Sequence, residues 1–144
     1  MKAIAMVLFT LLMGKGCSGN GAELALAKLT YTAQSRGVNK VITIQNQDIT
    51  VESGRGKDAT VEVSTISEGD WNDLVRQFDK IELEKMETYA DPSQERFHDG
   101  AAIANLTVEY NGKVYRSKDF DHGNPPKELK ALVDKILSLI TDKN

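Results

Sequence analysis

The chain has 144 residues, 40% hydrophobic and 27% charged, with 18 basic against 21 acidic side chains and one cysteine. That size fits one domain that can bury a core without metal or disulfide staples. Mild acidity without a basic run argues against a nucleic-acid binder. A single cysteine excludes an internal disulfide, a four-cysteine zinc site and a CxxC redox pair.

Residues 1–16 read as a secretory leader. Lys2 supplies the positive start, and the apolar run Ala3 to Met13 follows. It is shorter than the roughly 20 residues a bilayer span needs, but suits a signal peptide. Small residues then close on Cys17 in Gly14-Lys15-Gly16-Cys17. This resembles a bacterial lipoprotein leader, with Gly16 in the expected place and Lys15 a departure from the pattern. The resemblance implies lipid on Cys17 and a membrane attachment through it. Ser18 after the cysteine is not the Asp that resembles an inner-membrane retention signal, so an outer-membrane, periplasm-facing site is expected. Cleavage after Gly16 removes Lys2 and Lys15, leaving 128 residues with 16 basic and 21 acidic side chains, a net charge of −5. Residues 17–27 read as the lipidated cysteine and a tether, and 28–141 as one domain.

Period-two alternation dominates from Lys28 to Ile66. Leu29, Tyr31 and Ala33 alternate with polar residues, as do Ile42 and Ile44, Ile49 and Val51, and Val61 and Val63. Turn residues at Arg36-Gly37, Asn46-Gln47 and Ser53-Gly54-Arg55-Gly56 divide these into a four-strand antiparallel meander. At Ser67 the period changes. Ser67 to Asp70 makes a helix cap, and Trp71, Leu74, Val75 and Phe78 form one helical stripe. Trp71 is read as core rather than as a stacking platform. Ile81, Leu83 and Met86 dock the next stretch, and a polar loop runs from Asp91 to Gly100.

Ala104, Leu106, Val108 and Tyr110 alternate up to Asn111-Gly112, a strong hairpin turn. The return strand spans Val114 to Phe120. Pro125-Pro126 opens the last helix, whose stripe is Leu129, Leu132, Val133, Ile136, Leu137 and Ile140. The order ββββ-α-ββ-α predicts an α+β fold. Its antiparallel sheet has about five to six strands, with two amphipathic helices on one face.

Two His-Asp pairs stand out, His98-Asp99-Gly100 and Asp119-Phe120-Asp121-His122-Gly123. With Asn111-Gly112 as the turn, Tyr110 faces Lys113, and the same register sets Ala102 against Asp121 and Asp99 against Asn124; a bulge would shift this by one residue without separating the pairs. Both pairs then meet at the open end of one hairpin. Three readings follow. In the first, Asp and Asn caps, glycines and the double proline form a structural corner. In the second, His98, Asp99, Asp121, His122 and Asn124 are a ligand or partner surface. In the third, His98, Asp99, Asp119, Asp121 and His122 ligate a divalent metal, or an imidazole beside a carboxylate acts as a base. No HExxH, GxSxG or GxxxxGK[ST] pattern supports catalysis, and no residue pattern points to a cofactor.

The runs Arg96-Phe97-His98-Asp99-Gly100-Ala101-Ala102 and Phe120-Asp121-His122-Gly123-Asn124-Pro125-Pro126 resemble a group of small uncharacterised lipoproteins of Bacteroidota-type envelopes. The resemblance extends from about Tyr31 to Leu139. More distantly, the chain is similar to other small envelope domains with a strand-helix-hairpin-helix order. What the resemblance implies is an address and a fold, with no reaction attached. The expected function is a non-catalytic, lipid-anchored binding domain for an unknown protein or small ligand, with no nucleic acid, and a monomer. The alternatives are a metal-dependent or hydrolytic enzyme at the His-Asp corner and a secreted inhibitor presenting residues 91–99 to an envelope enzyme.

Overall fold

A computed structural model describes residues 21–141. The leader, Cys17 and the first part of the tether lie outside the described residues. The elements are α1 (Gly21–Leu26), β1 (Lys28–Gln34), β2 (Asn39–Gln45), β3 (Asp48–Ser53), β4 (Thr60–Thr65), α2 (Glu68–Phe78), β5 (Ile103–Tyr110), β6 (Lys113–Arg116), β7 (Phe120–Asp121) and α3 (Lys130–Thr141). This is the expected α+β arrangement. Strands run antiparallel in the order β4-β3-β2-β1-β5-β6, and β7 continues the β5 pairing beyond β6.

The alternation explains the sheet. Leu29, Tyr31 and Ala33 of β1, Ile42 and Ile44 of β2, and Ala104, Leu106 and Val108 of β5 are all buried on one face. The opposite face carries Thr30, Thr43, Thr50 and Thr107 side by side, all half-buried. Because side chains alternate with period two, one face can be oil and the other polar without conflict. Leu74 and Phe78 of α2 and Leu132, Val133, Ile136 and Leu139 of α3 close the core over the apolar face. Fully burying each such side chain contributes about 1.5–3 kcal/mol relative to exposure. Ser67 caps α2 as expected, its hydroxyl accepting from the Asp70 N–H at 3.2 Å. Lys135 of α3 reaches Asp70 at 2.7 Å and ties the two helices together. Trp71 is half-buried against the core, in keeping with its stripe.

Three expectations need correction. The described end of the tether is not a free linker: α1 forms there, and Leu24 and Ala27 are each 1% exposed within the core. The last helix starts at Lys130 rather than at the prolines. Pro125 and Pro126 are buried, and a turn closed by the Leu129 N–H on the Pro126 carbonyl precedes the helix. The hairpin register also slips. From Tyr110↔Lys113 to Thr107↔Arg116 it runs as expected, but Asp121 then faces Ile103 instead of Ala102. Ser117 causes the shift. It is buried, its N–H donates to the Leu106 carbonyl and its hydroxyl accepts from the Leu106 N–H at 2.9 Å. A side chain thus takes one rung of the ladder, and the extra residue forms a bulge.

Candidate functional site

The hairpin mouth holds both His-Asp pairs, but they do different things. Asp121 is 2% exposed and sits at the end of the short β7. Its carboxylate accepts hydrogen bonds from the Ser93 hydroxyl, the Glu95 N–H at 2.7 Å, and the Arg96 N–H and Nη1, both at 3.0 Å. Arg96 extends the network, donating from Nη2 to Asp91 at 2.6 Å and from Nη1 to the Ser93 carbonyl at 3.0 Å. Asn124 donates to the Ser93 hydroxyl at 2.7 Å. One carboxylate therefore fastens the whole polar loop from Asp91 to the helical turn Glu95–His98. Burial by itself would raise the Asp121 pKa. The bonds from Ser93, the two main-chain N–H groups and Arg96 overcome that and hold it at about 2.

His122, the next residue, is exposed but bonds a core side chain. Its Nδ1 lies 2.8 Å from the Tyr31 hydroxyl. Tyr31 is fully buried on β1, with its ring tilted against both Phe120 and His122. The Gly123 main chain also bonds the phenol, so the Tyr31 hydroxyl joins Gly123 to Nδ1 of His122. Burial pushes the Tyr31 pKa up to about 12, against the lowering effect of Gly123 and with a small rise from Asp134. Burial also lowers the His122 pKa, and the nearby charge of Lys40 adds to it.

His98 and Asp99 remain on the surface. His98 is exposed and ends the helical turn, and Asp99 follows with a left-handed φ of 55°. Asp and Asn tolerate that conformation better than most residues. The Gly100 N–H closes the turn on the Glu95 carbonyl at 2.8 Å. Asp119 stays at the surface, accepting from Arg116 at 2.9 Å and Asn105 at 3.3 Å.

Asp99, Gly100, Ala101 and Ala102 form one wall of an open cavity of about 630 Å³. The β1–β2 turn from Ser35 to Val38 forms the other, and His122 also contributes. Thus Asp99 and His122 come together around one space, whereas Asp121 and Asn124 are committed to the loop. Among the described residues, no three His, Cys, Asp or Glu side chains gather as metal ligands. The sequence reading missed Ser93, Arg96, Asp91 and Tyr31, and the turn carrying Arg36. Arg96 had a faint signal: a long basic side chain in an otherwise acidic, polar loop.

Neither models of known protein families nor curated proteins yield a match to the chain. The geometry of the corner is therefore what bears on function.

Proposed function

We propose that this protein is a lipid-anchored envelope protein, attached through Cys17 and facing the periplasm, that binds a protein or small ligand at the hairpin mouth without catalysing a reaction. The observation that carries the binding reading is the fastening of the Asp91–Gly100 loop by Asp121. That network holds Phe97 at the surface, 66% exposed, with the Arg96 guanidinium 4.5 Å from its ring centre. An exposed aromatic on a rigid loop loses little conformational freedom on binding, which favours its use as an anchor. The cavity at the same hairpin mouth offers Arg36, His122 and Asp99 as polar contacts. The acid-base reading loses support. Asp121 is saturated with donors, and Nδ1 of His122 is engaged by Tyr31.

An inhibitor of an envelope enzyme is the second reading, and it draws on the same exposed Phe97. A photo-reactive side chain placed at Phe97 in living cells tests both. An adduct that is lost when the cross-linker moves to Lys118 supports a binding loop, and inhibition of an adducted enzyme by the purified chain supports the second reading. Absence of any adduct contradicts both. For the anchor, palmitate labelling that Cys17→Ala abolishes is the expected result. Unlabelled parent protein would contradict it.

A further inference from the structure

The sheet has two edges, and they are treated differently. At one, β6 is four residues long, and the turn Leu83–Thr88 lies against it. Glu84 of that turn accepts from Lys113 at 3.0 Å and Tyr115 at 3.3 Å. At the other, β4 is six residues long, Thr-Val-Glu-Val-Ser-Thr, and no described residue pairs with its outer side. It contains neither Lys nor Pro, its one charged side chain is Glu62, and it is rich in β-branched side chains. Val61 and Val63 are 62% and 67% exposed.

The register shows which main-chain groups are available. The Ile66 N–H donates to the Gln47 carbonyl at 2.7 Å, in line with the β3–β4 pairing Asp48↔Thr65. In an antiparallel ladder, alternate residues point their N–H and C=O to the same neighbour. Residues 60, 62 and 64 therefore face β3, and Val61, Val63 and Thr65 aim both main-chain groups outward.

We infer that β4 is a self-pairing edge, and that two copies of this chain join β4 to β4 antiparallel across a two-fold axis into one continuous sheet. Outward-pointing residues must meet outward-pointing residues, which leaves two centred registers. One sets Glu62 directly against Glu62 of the second copy, a like-charge pair that is destabilising. The other puts Val63 on the axis facing its own copy, Val61 against Thr65, and Glu62 against Ser64. This second register forms about six main-chain hydrogen bonds and makes a shared apolar patch of the four exposed valines. It also brings the net basic turn of Arg55, Lys57 and Asp58 beside the acidic start of α2, Glu68 and Asp70, of the other copy. Such a contact is isologous, so it closes as a dimer rather than growing into a fibre.

Sedimentation of the full chain in detergent, over a concentration series, tests the pairing. A dimer is expected whose dissociation constant rises at least about tenfold in Val63→Pro, since proline removes the two hydrogen bonds on the axis. The substitution spares the β3 ladder, because the Val63 N–H points away from β3. Should that variant misfold, oxidative cross-linking decides the matter with the parent chain as background. Val63→Cys is expected to give a disulfide-linked dimer and Glu62→Cys none. A monomer at every concentration, a dimer indifferent to Val63→Pro, or cross-linking through Glu62→Cys in place of Val63→Cys overturns the inference.

Discussion

Asp99 and Asp121 each stand beside a histidine and a glycine-containing turn, yet they hold opposite positions in the fold. Asp121 is sealed under a loop and receives four donors. Asp99 sits in the open, at the corner of a turn, with a positive φ. Their neighbours divide the same way. His122, although exposed, is bonded to a buried tyrosine on a central strand, whereas exposed His98 only ends a helical turn. What separates the pairs is the strand ladder. Asp121 ends β7 opposite Ile103, so its side chain is aimed at the loop that crosses there. Asp99 precedes β5 and is aimed by nothing but its turn. A carboxylate next to an imidazole is thus not by itself a reactive pair, because backbone direction decides whether it meets donors or water.

Breaking the buried pair should give the largest effect. Asp121→Ala leaves two main-chain N–H groups without their acceptor and removes one of the two carboxylates on Arg96. A loss of about 3–5 kcal/mol is expected in urea unfolding. The same substitution should free the Asp91–Gly100 loop to proteolysis.

Acid titration comes next. The folded Asp121 pKa of about 2 lies below the ordinary 3.8, so the unfolded chain binds more protons between those values. The Asp121 contribution is therefore complete above pH 3.8 and is lost as pH falls towards 2. It amounts to about 2 kcal/mol, and a pH series of unfolding midpoints checks it against Asp121→Asn, in which this component should vanish. His122 adds a smaller slope at higher pH. Its folded pKa is lowered by burial and by Lys40, so its contribution is complete above 6.5 and declines as pH drops below that.

Tyr31→Phe removes the hydroxyl that joins His122 and Gly123, at a cost of about 1–2 kcal/mol by thermal or urea unfolding. Smallest of all, His98→Ala and Asp99→Gly should each change stability by no more than about 0.5 kcal/mol. For Asp99→Gly, relief of the left-handed backbone offsets the extra freedom of the unfolded chain. If His98→Ala proved as damaging as Asp121→Ala, the contrast between the two pairs would collapse.

Periodicity made most of the scaffold legible. The strands through Tyr31, Ile42 and Leu106 alternate buried with less buried residues, so periodicity reports their face directly, whereas β3 buries only Ile49 and β4 leaves its alternating Val61 and Val63 exposed at the sheet edge. Hairpin register was legible as far as Arg116 because Asn111-Gly112 sets it locally. It failed at Ser117, where a buried hydroxyl substitutes for a main-chain partner, and a serine in a strand carries no sign of that role. Helix α1 was hidden because Gly21 and the preceding small residues read as linker, although Leu24 and Ala27 find a core to enter. The candidate site was legible as a place and not as a network. Asp121 and Arg96 are 25 residues apart, and no local pattern marks a loop that folds back over a strand end. Tyr31 and His122 are 91 apart, brought together only by the pairing of β1 with β5.

Asp121 is a fastener held ionised by its donors. Carbon-13 NMR of its side-chain carboxyl through a pH titration measures this directly. A midpoint of about 2 is expected. A midpoint at or above the ordinary 3.8 would show that the donors do not favour the ionised form, and would contradict it.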